Sequence, residues 1–456
     1  MSDNKALTTS STVEQALKVV QAAGADAADI ILIRGRSHEA RVRDETIDFV
    51  KQAQEQILGI RVLMSGKEGM HSAVTSTSDL APAAVEQMAK ETVALARATE
   101  ADPAAGLPEG GFATDLPDLE LFDPDDRSVH IDARIEDARI AEKAARDFDK
   151  RITNSEGSQV GSDFSTVTYG NTAGFIGEYE RASHTLFSEP IASDGGSMQR
   201  DYWMTTSRKL NQLESPASVG RRAAERAVRR LNARRVSTAE VPVIFDSMQA
   251  AGLIRQLASL LSGYSVYRES SFLGERLGDT IAAPSVTIID DGRLPGGLGS
   301  RPFDGEGLPT RRNTLVKNGK LEGWLLDSYS GRKLGFPSTG NASRGAGGPP
   351  GVGTTNLWLE PGTESFDEII ARTDRGLLVT ELLGMGFNPV TGDYSRGAAG
   401  LWIEGGEIAY PVEEITIAGH FGTMLEQIDA IGSDLQWLGS VAAPTLRIAS
   451  MTVAGE

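Results

Sequence analysis

The chain has 456 residues, of which 40% are hydrophobic and 24% are charged, and its formal net charge is −18. This length suits roughly two or three domains with their own cores, and the composition is that of a globular protein. The absence of cysteine excludes disulfides, thiolate nucleophiles and cysteine–metal sites. The acidic charge disfavours nucleic acid as a partner, because it repels the phosphate backbone.

Membrane association and export are not predicted. No stretch approaches the roughly 20 apolar residues of a membrane span. The N-terminal segment MSDNKALTTSSTVEQ has no apolar signal core. Together with the lack of cysteine, these features lead us to expect a cytoplasmic location.

The first part of the chain, residues 1–125, is predicted to be an α+β domain with a linker. A helix is expected to begin near Ser11 and to end at Gly24, since Ser11 and Glu14 have capping-box spacing. Strands are predicted over residues 29–42, 45–50, 56–64 and 69–75, followed by a helix over residues 78–98. Residues 100–126 are rich in Pro, Gly and Asp, which predicts a linker or a long crossing loop.

A central region is predicted over residues 126–236. A helix is expected over residues 131–149, and a second one after Ser215 and Pro216, to about residue 231. Between them, residues 165–169, 175–179, 182–187 and 202–208 predict short strands of an antiparallel meander. Seven arginines between residues 221 and 235 indicate a solvated helix face or a contact with an acidic partner.

Residues 237–456 are predicted to form a β-rich C-terminal domain with an antiparallel sheet. A strand at residues 241–245 precedes a helix at residues 247–261, and Asn318-Gly319 is typical of a hairpin between strands at 312–317 and 321–326. Residues 335–353 and 384–400 are glycine-rich and are predicted to be loops, the second preceded by a strand at 377–383. Short strands are expected at 401–403, 408–410 and 414–418. The expected fold class is therefore α+β, with an N-terminal α/β-sandwich-like region followed by the β-rich domain.

No catalytic or metal-binding residue is predicted. The five histidines are scattered, and the sequence contains neither HExxH nor HExxxH, so the clustered ligands of a zinc peptidase are missing. Ser330 and Lys333 match Ser-x-x-Lys without the partner motifs that would support it. His184 lies on a predicted strand, where a hydrogen-bonded or exposed histidine is expected.

The remaining candidate is a recognition surface built from glycine-rich segments, because exposed strand edges beside such loops can capture an extended peptide. Arg396 could pair with a carboxylate, either that of Asp393 or one on a partner or peptide; the alternative is a buried arginine that braces the turn. The predicted substrate-binding or interface residues are Arg301, Asp304, Asp393, Tyr394, Ser395 and Arg396.

Several long strings in the C-terminal half resemble the TldD/PmbA family, and in particular its PmbA/TldE branch. They are SVYRESSFL at 265–273, SRPFDGEGLPTRRNTLVKNGKLEGWLLDSYSGRKLG at 300–335, STG at 338–340 and GDYSRGAAGLWIEGGEIAYPVEEITIAG at 392–419. The resemblance implies a metallopeptidase complex that acts on unfolded peptides. In the TldD branch an HExxxH helix and a later cysteine bind zinc, whereas the equivalent helix here, SMQAAGLIRQLASLL at 247–261, has no histidine and no acidic residue.

The resemblance therefore leads us to expect no cofactor in this chain and zinc only in a TldD-like partner. The expected partners are a TldD-like catalytic subunit or a second copy of the chain, together with an unfolded peptide. One alternative is a non-enzymatic, protein-binding regulator, as the family's description as a modulator of DNA gyrase suggests. A further alternative is an independent peptidase with an unrecognised site.

Overall fold

The computed structural model describes residues 8–455, so the segment expected to lack a signal core lies partly outside it, as does Glu456. The predicted first helix is present as α1, but the expected cap at Ser11 is wrong: the N-cap is Thr8, whose side chain accepts a hydrogen bond from the Ser11 N–H. The first elements are α1 (Thr9–Ala22), β1 (Ala27–Arg43), β2 (Thr46–Gly66), β3 (Gly69–Thr77) and α2 (Pro82–Arg97).

The middle of the chain continues the same body. After a 3-10 turn at Pro124–Ser128 it forms α3 (Ile131–Arg146), β4 (Ile152–Asn171), β5 (Ile176–Asp194), β6 (Ser197–Arg200), β7 (Trp203–Ser207) and α4 (Pro216–Val228). The strands β1 to β7 form one seven-stranded antiparallel sheet in the order β3-β2-β1-β4-β5-β6, with β7 on β5. This sheet combines strands from both sides of residue 125, and the division into domains at that point stays a prediction.

The strands of this sheet are longer than the sequence predicted. The two strands expected at 45–50 and 56–64 are one strand, β2, which pairs with β1 from Thr46 to Leu63. Similarly, the short strand predicted at 165–169 belongs to β4, which has 20 residues. The polar stretches between the predicted strands are extended because they are hydrogen-bonded to neighbouring strands, which local propensity does not detect.

The C-terminal part begins with β8 and contains the larger apolar core. Its elements are β8 (Ala239–Phe245), α5 (Ser247–Leu260), α6 (Gly263–Tyr267), β9 (Ile288–Asp291), β10 (Arg312–Lys317), β11 (Lys320–Leu321), α7 (Ser328–Leu334), β12 (Ala342–Ser343), β13 (Gly351–Val352), β14 (Asn356–Leu359), α8 (Phe366–Ala371), β15 (Arg375–Leu383), β16 (Asp393–Glu404), β17 (Glu407–His420), α9 (Phe421–Glu426), β18 (Ile428–Ile431), β19 (Val441–Ala442) and β20 (Leu446–Ala454). The predicted α+β class with a β-rich, largely antiparallel C-terminal region is confirmed.

Two sheets organise this part. A six-stranded sheet has the order β17-β16-β15-β8-β20-β18, and a five-stranded sheet has the order β11-β10-β9-β14-β19. Helix α5 packs in the core between them through Leu253, Ile254 and Leu257. Neither sheet shares a strand with the N-terminal sheet, whose last strand ends at Ser207.

A buried ion triad connects the N-terminal sheet to the glycine-rich segment at 335–353. Asp29 on β1 accepts hydrogen bonds from Arg61 on β2, at 2.8 Å from Nε, and from Nη1 of Arg344. The side chains of Asp29 and Arg344 are fully buried. This part of the segment is therefore fixed onto the sheet. No helix among residues 8–455 is long and apolar enough to cross a membrane.

Candidate functional site

Two of the strings that carry the family resemblance meet at a cleft between the N-terminal sheet and the C-terminal part. The cleft has a volume of about 330 Å³, and one wall is formed by Tyr264 and Tyr267 of α6 and by Tyr329 of α7. The opposite wall comes from β2, β3 and the segment around Asp102. The fold thus brings together residues that lie up to 86 positions apart within the C-terminal part alone, from Tyr264 to Pro350.

The three tyrosine rings contact one another. The ring centroids of Tyr264 and Tyr267 are 5.4 Å apart, and those of Tyr264 and Tyr329 are 5.8 Å apart and stacked. The guanidinium of the exposed Arg268 lies 5.5 Å from the centroids of Tyr264 and Tyr267. Burial raises the pKa of Tyr264 well above its ordinary value.

Helix α7 also holds the two parts of the chain together. The hydroxyl of Tyr329 donates to Oδ2 of Asp102 at 2.6 Å, and Nζ of Lys333 lies 3.0 Å from Oδ1 of the same carboxylate. The guanidinium of Arg332 donates to the carbonyl of Ala104 at 2.7 Å. Burial alone would raise the pKa of Asp102, but the hydrogen bond from Tyr329 and the other donors outweigh it and lower this pKa.

The predicted site residues Arg301 and Asp304 lie in the segment before β10. Asp304 is buried, and its carboxylate accepts hydrogen bonds from the N–H groups of Glu306 at 2.9 Å, Leu308 at 3.0 Å and Ala342 at 3.1 Å. Burial, followed by the nearby Glu306, raises the pKa of Asp304. These contacts hold the loop together, and a role of Asp304 at a ligand or partner stays a prediction.

Arg301 has a different environment from Asp304. It is half-buried, and its Nε and one Nη have no hydrogen-bond partner among residues 8–455. A contact of Arg301 with a peptide or partner stays a prediction.

The other predicted residues, at 393–396, lie on a strand and not in a loop. They begin β16, which pairs with β17 so that Asp393 opposes His420 and Arg396 opposes Ile417. Alternation along the strand turns Asp393 and Ser395 to solvent and turns Tyr394 inward. The prediction of a loop at 392–397 is therefore wrong. These residues are extended because they pair with β17, which follows later in the chain.

Tyr394 is a core residue in this chain. Its ring stacks on that of Phe421 at a centroid distance of 6.3 Å, and it is 1% exposed. Burial raises its pKa to about 12. Its side chain is not accessible in this structure, and a contact of Tyr394 with a substrate or partner stays a prediction.

Arg396 does not pair with Asp393. Oδ2 of Asp393 accepts a hydrogen bond from the Thr391 hydroxyl at 2.6 Å. Arg396 is half-buried, its Nε has no hydrogen-bond partner, and it forms no ion pair with any described residue. The pairing with Asp393 is not present, whereas the guanidinium of Arg396 lies close enough to the Tyr394 hydroxyl to oppose the rise in its pKa, so an external carboxylate and an internal brace both stay open.

Between β15 and β16 lies a loop with an apolar surface. Leu383 and Val390 are about half exposed and Met385 is fully exposed. The loop returns close to the strand at Gly386, whose carbonyl accepts from the Ser395 N–H at 2.7 Å. A Cβ at Gly386 would lie 1.5 Å from the Ser395 carbonyl oxygen, so this close approach requires glycine.

The position expected for zinc ligands does not fit a zinc ion. Helix α5 turns Ala250, Leu253, Ile254 and Leu257 into the core, and its sequence has no histidine or acidic residue. Its N-cap, Asp246, lies 3.4 Å from the Arg226 guanidinium. Residues 8–455 contain no group of three His, Cys, Asp or Glu side chains that could hold a metal ion.

The sequence interpretation did not select Tyr264, Tyr267 or Tyr329 as site residues. Tyr267 and Tyr329 lie inside SVYRESSFL and DSYSGRK, two of the strings on which the resemblance rests. These tyrosines lie in family-specific strings and do not belong to a helical repeat of apolar residues. That combination could have indicated a site residue. Their convergence depends on the packing of α6 against α7, which is not visible in the sequence.

Comparisons with known proteins define the class. The PmbA/TldA metallopeptidase domain 1 matches residues 28–96, the central domain matches residues 124–231 and the C-terminal domain matches residues 238–455. The chain therefore belongs to the PmbA/TldD metallopeptidase family.

Individual relatives show which members of this family the chain is similar to. The chain is 39% identical over 433 residues to the protein named Metalloprotease PmbA of Escherichia coli O157:H7, covering 94% of this chain and 93% of that protein. It superposes with a TM-score of 0.89 and 27% identity on a putative modulator of DNA gyrase from Bacteroides thetaiotaomicron, covering 98% of each chain. With TldE from Thermococcus kodakarensis the TM-score is 0.86 and the identity 25%, covering 97% of this chain and 100% of that one.

Proposed function

We propose that this chain is a PmbA/TldE-like subunit that pairs with a zinc-bearing TldD-like chain to cleave unfolded peptides, and that it supplies no hydrolytic group itself. The observation that carries the proposal is the composition of α5. In the TldD branch the equivalent helix is implied to provide HExxxH, whereas Ser247–Leu260 offers no zinc ligand and no general base. On this proposal, the word metalloprotease in the names of relatives describes the family. It does not imply that this chain has zinc ligands of its own.

The surface proposed to meet the partner or substrate lies at the β15–β16 loop. It combines the exposed Met385 and Val390 with the exposed Ser395 and with the half-buried Arg396. Apolar side chains around an arginine are typical of the centre of protein interfaces. A guanidinium without an internal carboxylate can make a bidentate pair with a carboxylate of the other molecule.

Binding of an unfolded peptide is supported by an open strand edge. β2 pairs with β1 along nearly its whole length, but β3 pairs only with the part of β2 from Leu58 to Gly66. The outer edge of β2 from Thr46 to Ile57 therefore has no strand partner among the described residues. An extended peptide can add to such an edge through main-chain hydrogen bonds, independently of its sequence.

The test is reconstitution with purified chains. The chain, a TldD-like chain from the same source, and a mixture of the two are each incubated with an unstructured peptide, and the products are measured by mass spectrometry. The proposal expects cleavage only with the TldD-like chain present and faster cleavage by the mixture. Cleavage by this chain alone, with a metal-chelated control, would show that it is an independent peptidase.

The oligomeric state belongs to the same proposal. Light scattering on the mixture is expected to give a heterodimer, and a homodimer that excludes the TldD-like chain would contradict it. We assign the pair to the cytoplasm, in keeping with a sequence that contains no cysteine.

A second candidate function is that of a protein-binding regulator. It is favoured by one observation, the description of the Bacteroides relative as a putative modulator of DNA gyrase. An acidic chain of net charge −18 could compete with nucleic acid for a basic surface. A regulator would bind gyrase at nanomolar to micromolar concentration without any TldD-like chain, which a pull-down with purified gyrase measures directly.

A further inference from the structure

A second cavity lies on the face of the seven-stranded sheet that is turned towards the C-terminal part. Its volume is about 520 Å³, and Leu298 and Leu438 form the wall contributed by that part. Its floor crosses four neighbouring strands, where Glu55, Gly35, Ser165 and Arg181 stand directly opposite one another in register. Because Gly35 and Ser165 are small, the middle of this row leaves room for a ligand between the acidic and the basic end.

Two arginines at one end of the cavity form no ion pair with a carboxylate within residues 8–455, although the charge of Arg181 acts on Asp163 of the same lining. Arg208 is only 3% exposed, and its guanidinium donates to the carbonyls of Gly297 at 3.2 Å, of Ala182 at 2.7 Å and of Leu298. Arg181 is half-buried and donates from Nε to the Ser165 hydroxyl at 3.0 Å.

A third arginine on the lining is engaged elsewhere. Arg36 donates to the carbonyl of Arg127 at 3.3 Å and lies over the ring of Phe164, 5.1 Å from its centroid. It is therefore not counted with the pair formed by Arg181 and Arg208.

The charges around the cavity are unbalanced locally. Burial, and then the like charge of Arg181, lower the pKa of Arg208 to about 10, which still leaves it charged at neutral pH. Two adjacent cations, one of them deeply buried, are costly without an anion. Asp163 also lines the cavity; burial followed by the charge of Glu39 raises its pKa, while the charge of Arg181 opposes this shift more strongly than Glu55 adds to it.

We propose that Arg181 and Arg208 form a subsite for a carboxylate of an extended peptide, which lies along the row towards Glu55. The carboxylate is either the C-terminus of the peptide or the side chain of an acidic residue, since a guanidinium binds both in the same way. Neighbouring strands are about 4.8 Å apart, so the row from Arg181 to Glu55 spans about 14 Å. An extended segment of about four residues covers that distance, with its amino group or a basic side chain at the acidic end.

This inference rests on the proposed function, in which the chain binds peptides. Binding of peptides to the isolated full-length chain tests the inference. The probes are unstructured decapeptides of Gly, Ala and Ser with an N-terminal fluorescein, which carry a free C-terminal carboxylate, a C-terminal amide, or an amide with one internal Glu. Fluorescence anisotropy gives each Kd. We expect the wild-type chain to bind at least one of the two carboxylate peptides about tenfold tighter than the amide without Glu.

Variants assign this preference to the cavity. Arg181→Gln should reduce it to within about twofold, and Arg181→Lys should restore only part of it, because lysine keeps the charge but not the bidentate geometry. Arg221→Gln is the control, because Arg221 is an exposed arginine on α4 and the same charge is removed. Arg208 is left intact, because its three contacts to carbonyls make it part of the fold.

The outcomes separate this inference from the proposed function. Equal binding of all three peptides by the wild-type chain, or a preference that survives Arg181→Gln, overturns the subsite. Cleavage by the reconstituted pair together with equal binding of the peptides refutes the subsite alone. A carboxylate preference that Arg181→Gln removes, in a chain that does not stimulate a TldD-like partner, supports the subsite and refutes the proposed function.

Discussion

Replacing Asp29 by Asn should destabilise the folded chain strongly, although the two side chains have nearly the same shape. The Asp29 carboxylate is the only acidic group in its triad, and it accepts hydrogen bonds from Arg61 and Arg344. Burial alone would raise the pKa of Asp29, but the charges of Arg344 and Arg61 outweigh it and lower this pKa. Asp29→Asn removes the charge and leaves two buried cations facing each other.

The magnitude follows from the burial of all three groups. The side chains of Asp29 and Arg344 are 0% exposed and that of Arg61 is 8% exposed. Breaking a buried ion pair by removing one partner costs about 3–5 kcal/mol of unfolding free energy, chiefly because the remaining charge is uncompensated. An exposed pair contributes about 0.2–1 kcal/mol. The pair between Glu86 and Lys90, whose side chains are more than half exposed, is the matched control.

Urea unfolding followed by tryptophan fluorescence measures both variants. Asp29→Asn should lower the unfolding free energy by about 3 kcal/mol or more, and Lys90→Ala by less than about 1 kcal/mol. Replacing the whole triad with Asp29→Leu, Arg61→Met and Arg344→Met should recover part of the loss, since no charge of the triad then remains, while the buried Glu306 loses the compensating charge of Arg61. If Asp29→Asn and Lys90→Ala cost the same, the reasoning from burial is refuted.

Three further predictions concern the site, a buried histidine and metal content. Arg396→Ala should change the unfolding free energy by about 1 kcal/mol or less but abolish peptide cleavage by the reconstituted pair; a large loss of stability with full cleavage would identify a structural brace. Because burial lowers the pKa of His184 to about 4, below its ordinary 6.5, its contribution to stability is present above pH 6.5 and is lost as the pH falls towards 4. Urea unfolding should therefore show a loss of about 2 kcal/mol from this group between about pH 7 and pH 5, which His184→Gln removes. Elemental analysis of the purified chain should give less than about 0.1 zinc per chain, and one tightly held zinc would contradict the interpretation of α5.

Much of the fold could be predicted from local sequence signals. The helix α1 was predicted, although its cap is Thr8 and not Ser11, and α5 follows the spacing of Leu253, Ile254 and Leu257. Strand lengths could not be predicted in the same way. Two separate short strands were expected at 408–410 and 414–418, yet β17 runs from Glu407 to His420 because β16 pairs along it, with register shifts that accommodate the irregularity.

The candidate site was predictable only in part, for a related reason. The segment around Arg396 was selected, but the burial of Tyr394 depends on Phe421, which belongs to an element formed later in the chain. The partners of Asp29 lie 32 and 315 residues away. Neither contact leaves a periodic pattern in the sequence, so local reasoning cannot find it.

The central claim is that hydrolysis by the pair depends wholly on the zinc-bearing chain. The direct measurement is peptide cleavage by a mixture in which the glutamate of the partner's HExxxH motif is changed to glutamine, while this chain is left intact. Our account predicts no cleavage above the level of peptide alone, with the pair still assembled by light scattering. Cleavage at a substantial fraction of the unmodified pair's rate would contradict it, because the hydrolytic groups would then have to come from this chain.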